Sequence, residues 1–399
     1  MKAKVLVVMP ESPYPPRKNG IALRYYPLLL RLCERFDIDL AMTVDDDKAA
    51  TNVGELEHKL QRVIPLRRIN VQPSLSHRIY AQLHRISPVG VPFGHYYYGA
   101  QAMAAQFKSV LSEKYHAVVW VTQNHVLHEC LPYLSKHRLI VDGIDSSSLH
   151  TVRSLPLPDL MARLKIAKAK RWEATIINRA KAAFFISPVD LAEVKSLTKR
   201  SDLELSPNGI LIDDYTPEKL ALKSPSIGFL GNMSYRPNID AVHRLVVLYR
   251  DLKESVPDLS LYIIGRDPDH SLLDYAKDPD ITFTGTIDCI WPYVNAIDVF
   301  VMPMAMGAGQ QNKLLEVMFA GRPIVASSIA NGGVLAVDGE SVLIADDHET
   351  LKEKTLSLLL DSELRQRLGA NGKKFVDEKY NWDRIAEHFA ATIDPNYKN

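Results

Sequence analysis

Short apolar runs alternate along the whole chain with longer stretches whose apolar positions recur every three to four residues. Continuous short runs suit strands buried on both faces, and the longer period suits helices that cover them. The pattern therefore predicts an α/β chain built on parallel sheets. In the first half, strands are expected at Lys4–Pro10, Asp37–Thr43, Arg67–Gln72, Ala117–Thr122, Arg138–Ile144 and Ala182–Pro188. In the second half they are expected at Ser226–Gly231, Leu259–Gly265, Ile281–Gly285, Asp298–Met304, Pro323–Ser327 and Ser341–Asp346. Each set is long enough for one doubly wound, Rossmann-like unit. That places a first domain over residues 1–205, a turn-rich linker over 206–217 and a second domain over 218–378. The closing segment 379–399 contains the helical pattern NWDRIAEHFAATI and is expected to cross back to the first domain.

Composition narrows the classes. The chain has 399 residues, 46% of them hydrophobic and 24% charged, as in ordinary globular proteins. A net charge of +1 gives no global field that would select nucleic acid. Three widely spaced cysteines form neither a disulfide framework nor a zinc pattern, and they suit a reducing compartment. No apolar run reaches the ~18 residues of a membrane span, and Pro10 and Glu11 cut the first run too short for a signal peptide. A cytoplasmic location is expected.

Doubly wound units bind ligands beyond the carboxyl ends of their strands, so the candidate chemistry is sought in the loops that follow strands. The stretch GAGQQNKLLEVMFAG begins three residues after the expected Asp298–Met304 strand. Gly307 and Gly309 allow close backbone approach, and the helix that follows offers unpaired N–H groups to an anion. Lys313 lies in the first turn of that helix, where a cation is unfavourable unless an anion is bound. Glu316 follows within a turn, where a carboxylate can accept from vicinal hydroxyls such as those of a ribose. Leu314, Leu315, Met318 and Phe319 supply the buried face. The plain alternative is a glycine turn with a helix-start glutamate. A dinucleotide fingerprint is not expected, because Asn312 stands where its third glycine belongs. A second loop, GNMSYRPN, follows the strand ending at Gly231 and carries Arg236, which suits bidentate contact with a diphosphate.

These motifs, in order, resemble the C-terminal domain of GT-B retaining glycosyltransferases of family 4, in the style of bacterial exopolysaccharide-associated sugar transferases. The residues that carry the resemblance are GNMSYRPNIDAV, YIIGRDP, FTGTIDCIWPYVNAIDVFVMP, GAGQQNKLLEVMFAGRPIVAS, the linker SPNGILIDDYTP and the terminal YNWDRI. The resemblance implies two Rossmann-like domains facing across a cleft. It also implies transfer of a sugar from a nucleotide-diphosphate donor to a saccharide or lipid-linked acceptor, with no metal and no cofactor beyond the donor itself. The family's paired glutamates lie eight positions apart. Glu316 matches the second, which grips the ribose, while Ala308 stands at the first. The implied donor-binding set is Gly231, Arg236, Gly307, Gly309, Gln310, Gln311, Lys313, Leu314 and Glu316. Arg236 and Lys313 are expected to neutralise the departing phosphate. The family's loop lysine is missing here, and charge placement alone suggests Lys313 as its replacement.

In the first domain the resemblance puts Asn19 and Gly20 on a loop that meets phosphate or acceptor. It makes His125 a catalytic candidate, although Thr122 sits nearer the expected place and a surface-loop histidine is the plain alternative. Asp142 and Asp145 follow the next strand and either face the cleft or cap the segment after it. The cluster Asp45–Asp47 is expected to be a solvated cap rather than a metal motif. Between His58 and Ser112 there is no acidic residue, while Lys59, Arg62, Arg67, Arg68, Arg78, Arg85 and Lys108 are present. That asymmetry suggests a basic face for an anionic membrane surface or a lipid-diphosphate acceptor. Two other functions fit the same architecture: a nucleotide-sugar 2-epimerase, and a non-catalytic nucleotide-sugar-binding homologue.

Overall fold

The computed structural model describes the chain apart from residues 1, 17, 46–51, 70–71, 76–77, 80–86, 88–89, 93–94, 155–159, 211, 213–214, 307–309 and 397–399. It divides into two compact units, Met1–Pro207 with Trp382–Asn399, and Asn208–Asn381. Residues 208–217 of the expected linker thus belong to the second unit, and the closing helix belongs to the first.

The first unit holds a seven-stranded sheet, formed by β1 (Lys4–Met9), β2 (Asp37–Val44), β3 (Arg62–Arg67), β4 (Ala117–Val121), β5 (Leu139–Ile144), β6 (Ala182–Phe185) and β7 (Glu204–Leu205). Their order is β3-β2-β1-β4-β5-β6-β7, and every pairing is parallel. Expectation and structure differ at β3, which lies at Arg62–Arg67 rather than Arg67–Gln72. Pro65 counts against a central strand, but β3 is an edge strand, where a missing N–H is tolerated. The two-residue β7 was not expected, being too short to show a period. Apolar runs such as AVVWV in β4 and AAFF in β6 are buried throughout, as strands covered on both faces must be. The helix Trp382–Ile393 joins this unit through Phe389, stacked 4.0 Å from Phe184, and through Thr392, whose carbonyl accepts from Arg138.

The second unit holds a six-stranded parallel sheet, ordered β10-β9-β8-β11-β12-β13. Its strands are β8 (Ser226–Leu230), β9 (Ser260–Ile264), β10 (Ile281–Phe283), β11 (Val299–Met302), β12 (Ile324–Ala326) and β13 (Leu343–Ile344). Its core gathers Phe229, Tyr249, Trp291, Phe300 and Leu315. In both sheets the strand order reverses beside the first strand of the unit, at β1/β4 and at β8/β11. Crossovers leave to opposite sides there, so the loops after those two strands part and leave a crevice.

One polar network gathers around a buried carboxylate at the amino end of the first sheet. Asp39, almost fully enclosed, accepts from Arg62, from the Tyr115 hydroxyl at 2.8 Å and from Lys4 at 3.2 Å. Arg62 and Lys4 also meet Glu113. Burial pushes the Asp39 carboxyl up, but the hydrogen bonds from Arg62, Tyr115 and Lys4 outweigh it and hold the group below its usual range. Glu113 is likewise lowered by Arg62 and Lys4. Carboxylates with depressed values stabilise the fold above their unfolded values, and that stability is lost as pH falls through the folded values. Because the guanidinium is half-exposed, Arg62→Met is expected to cost about 1 kcal/mol at neutral pH. The deficit should shrink in acid as the carboxylates protonate, which urea denaturation at about pH 7 and pH 3 measures.

Candidate functional site

Several of the expected residues come together at the β8/β11 reversal of the second unit. β8 ends at Leu230, and Gly231–Tyr235 lead into the helix Arg236–Lys253. Gly231 donates to the Ile264 carbonyl at 2.9 Å, and Met233 to that of Arg266 at 2.9 Å, so this loop lies along the end of β9. A side chain at Gly231 would strike Asn238, its Cβ lying 2.7 Å from the amide nitrogen. Gly265 is tighter still, since a Cβ there would overlap the Gly231 carbonyl oxygen. Pro237 sits in the first turn of the helix, where its missing N–H costs nothing.

β11 ends at Met302, and after Pro303–Gln311 the helix Asn312–Phe319 begins. Gly307, Ala308 and Gly309 lie outside the described residues. Gln311 is the cap residue, with no side-chain hydrogen bond to the helix, and the first turn holds no acid. The Arg236 helix has no side-chain cap bond and no acid in its first turn either. Two helix starts, each carrying a cation, therefore meet at one sheet end, an arrangement that favours an anion.

The side chains divide into those that face the crevice and those committed to structure. Arg236 is exposed, with no ion-pair partner among the described residues. Lys313 is half-buried as a whole, but its Nζ end packs under the second unit's own atoms. It donates to Asn238 Oδ1 at 2.5 Å, touches Met304 Sδ at 3.7 Å and stands 4.5 Å from the centre of the Phe229 ring. Burial pushes this amine down to about 7, with Glu316 pulling the other way. Glu316 is half-buried one turn along the same helix face. Gln310 is spent elsewhere: its Oε1 accepts from the Asn208 N–H and its Nε2 donates to the Asn208 carbonyl, both at 2.8 Å. Its side chain is thus a brace that holds the PNG stretch, and only its backbone is left for a ligand. Leu314 is fully buried and its N–H donates to the Gln311 carbonyl, so it belongs to the core side of the helix.

In the first unit the candidates are less concentrated. Asn19 caps the helix Gly20–Arg35 by accepting from the Ala22 N–H, and its amide nitrogen donates to Glu11. Around Gly20 there is open space at the position of a Cβ. His125 is not a surface-loop residue but a buried one, at the start of the helix His125–Leu134. Its Nδ1 accepts from the Tyr97 N–H at 3.0 Å, which leaves the proton on Nε2 to donate to Glu129 at 3.1 Å. Both ring nitrogens are therefore engaged within the unit. Asp142 is fully buried against Arg24 at 2.7 Å and the Tyr25 hydroxyl at 2.6 Å, so it faces no crevice. Asp45 pairs with Arg68, while Asp46 and Asp47 lie outside the described residues.

Part of the acid-free stretch is neutralised from outside itself, as Lys59 meets Glu34, Arg62 meets Asp39 and Arg68 meets Asp45. Arg85 lies outside the described residues. Among the described residues no group of three or more His, Cys, Asp or Glu is placed to hold a metal ion. No helix among them is long and apolar enough to cross a membrane.

Four features escaped the sequence. Asn238 reads as an ordinary helix residue, and nothing in its spacing shows that it reaches Lys313. The bracing role of Gln310 depends on a backbone partner 102 positions away. Thr122 and Ile144 take left-handed backbone conformations, at φ 65° and 62°, just past β4 and at the end of β5. Such conformations are costly for β-branched residues. The fully buried Glu173 accepts from Gln123, Ser146, Ser147 and Ser148, fastening those two strand ends together.

Residues 224–361 match the family model described as glycosyl transferases group 1. The chain is similar to an uncharacterized glycosyltransferase of Methanocaldococcus jannaschii, 27% identical over 42% of this chain and 44% of the relative. It is also similar to a phosphatidyl-myo-inositol mannosyltransferase of Mycobacterium leprae, 28% identical over 67% of this chain and 72% of the relative. The match to the first of these spans less than half of that relative's length. Among solved structures, HepE of Anabaena in complex with UDP superposes with a TM-score of 0.67 at 14% identity, over 99% of this chain and all of that one. That likeness shows the fold, which is GT-B.

Replacing Gln310 by Ala removes both braces on Asn208 and is expected to destabilise the second unit by about 1–2 kcal/mol. Urea denaturation followed by hydrogen exchange at Asn208 would show it, and an unchanged midpoint would refute the bracing role.

Proposed function

We propose that this chain, a member of the glycosyl transferases group 1 family through its second unit, transfers a sugar from a nucleotide-diphosphate donor to a saccharide or lipid-linked acceptor. The observation that carries this is the meeting of two cation-bearing helix starts at the β8/β11 reversal, with Glu316 one turn beyond Lys313. Arg236 and Lys313 suit the diphosphate and Glu316 the ribose hydroxyls. As the bond to the sugar breaks, negative charge grows on the departing diphosphate. Fixed cations at that point stabilise the transition state more than the ground state. In this scheme the protein's own cations do that work and no metal is required of it. Retention of configuration follows from the resemblance to family 4, and a role in surface polysaccharide or glycolipid synthesis from the same resemblance. The mannosyltransferase relative and the UDP-bound HepE structure support a nucleotide-sugar donor. Neither the epimerase nor the scaffold alternative gains a supporting observation.

We include peripheral attachment to an anionic membrane face in the same proposal. The first turns of the helix Leu160–Arg179 expose Leu160, Met161 and Leu164 beside Arg163 and Lys165, and no acid occurs in this helix before Glu173. Exposed leucines among cations suit the headgroup boundary of a bilayer.

Thermal unfolding with UDP, GDP, ADP and their sugar conjugates tests the donor site. A ligand at ~100 times its dissociation constant should add about 2.7 kcal/mol, and Glu316→Ala should abolish the gain. No gain with any of them would reject the nucleotide assignment. For the membrane face, the double variant Leu160→Asp, Leu164→Asp should lose co-sedimentation with vesicles containing phosphatidylglycerol. Equal sedimentation of wild type with purely zwitterionic vesicles, or none with either, would argue against it.

A further inference from the structure

Lys313 has unusual surroundings for a surface-derived cation. Its Nζ meets an amide oxygen, a thioether and a ring face, contributed by Asn238 of the Arg236–Lys253 helix, Met304 beyond β11 and Phe229 of β8. None of these groups titrates. Glu316, on the lysine's own helix, is the charged group that acts on the amine. Burial opposes charge, while the ring face and Glu316 favour it, and burial prevails.

Asn238 is 5% exposed and its amide is used at both ends. Nδ2 donates to the Asn232 carbonyl at 2.8 Å, so the opposite end, Oδ1, must face the lysine. A carbonyl can receive only the nitrogen end, which fixes the orientation of the amide. The β8 loop and the Asn312–Phe319 helix are thereby keyed to each other through one side chain. Gly231 leaves room for it.

We propose that binding of a nucleotide diphosphate at this site takes up one proton onto Lys313, and that Asn238 is the positioning residue that holds the amine for it. This rests on the donor site argued above and goes beyond it. In the free protein the groups that touch the amine are neutral, with Glu316 the charged group acting on it from the same helix. An arriving diphosphate brings negative charge into the same enclosed space and stabilises the ammonium, whose proton comes from the solvent to the Nζ lone pair. The amine's value is then higher in the complex than in the free protein. Below the free value of about 7 the amine is already charged and binding takes up nothing. Above it, each binding event consumes one proton, and affinity falls by up to tenfold per pH unit until the bound value is reached.

The test is titration calorimetry with UDP-glucose and with GDP-mannose, whose diphosphates have no proton to gain or lose near neutral pH. Each is measured at about pH 7.5 and 8.5 in two buffers of different ionisation enthalpy. For wild type the expected result is a several-fold to tenfold weakening at the higher pH, with a buffer-dependent enthalpy that reports uptake of close to one proton. Lys313→Met should bind more weakly with neither effect. Asn238→Asp, which gives the amine a permanent carboxylate partner, should weaken binding at both pH values and abolish the uptake. A pH-independent affinity with a buffer-independent enthalpy in wild type overturns the proposal, as does wild-type pH dependence in Lys313→Met. Binding of neither nucleotide sugar even at about pH 6.5 overturns the donor site itself, and this inference with it. Melting of each unliganded variant separates loss of fold from loss of function.

Discussion

Burial of both faces of two parallel sheets is the constraint from which the rest follows. A strand covered by helices on either side can carry hardly any polar side chain, and runs such as SIGFL, VFVM and AVVWV carry almost none. Chemistry is then confined to the sheet ends. Because all strands of each sheet run parallel, the loops after every strand leave from the same end. The place where the strand order reverses is the only one where two such loops part, so position within the topology largely decides which loops can hold a ligand.

Within the second unit that constraint is sharpened by close backbone contact. Gly231 and Gly265 let two strand ends approach more nearly than side chains would permit. The space so made is filled by Asn238, which meets Lys313. The loops after β8 and β11 are separated by some seventy positions in sequence, yet they are held by one amide and one amine, with Asn238 and Lys313 75 positions apart. An enclosed lysine beside neutral partners is a poor structural choice, since the same volume filled by an apolar residue would be more stable. Its place at a sheet end fits the donor site proposed above.

The first unit uses its buried charges differently. Asp142 is closed off by Arg24 and Tyr25, Asp39 by Arg62 and Tyr115, and Glu173 by amide, hydroxyl and backbone donors. These carboxylates are satisfied within the fold, and they lock strand ends and loop starts rather than facing a ligand. His125 belongs with them. Two left-handed β-branched residues at the ends of β4 and β5 persist because the Glu173 contacts over-determine the backbone around them.

Sequence by itself determined the class of fold, the two-unit organisation and most strand positions, because burial imposes a period that is written locally. It also marked the loop-to-helix stretches that carry Arg236, Lys313 and Glu316, since glycine and charge at a strand end are local signals. It misplaced β3, where Pro65 is tolerated only because the strand is at an edge, and edge position is a property of the assembled sheet. Tertiary structure alone decided which polar residues face open space. Asn238 meeting Lys313, Gln310 gripping Asn208, Asp142 sealed against Arg24 and His125 bound at both nitrogens all depend on partners distant in sequence. Burial and partner together set whether a polar group is charged, neutral or spent, and neither is encoded at the residue itself.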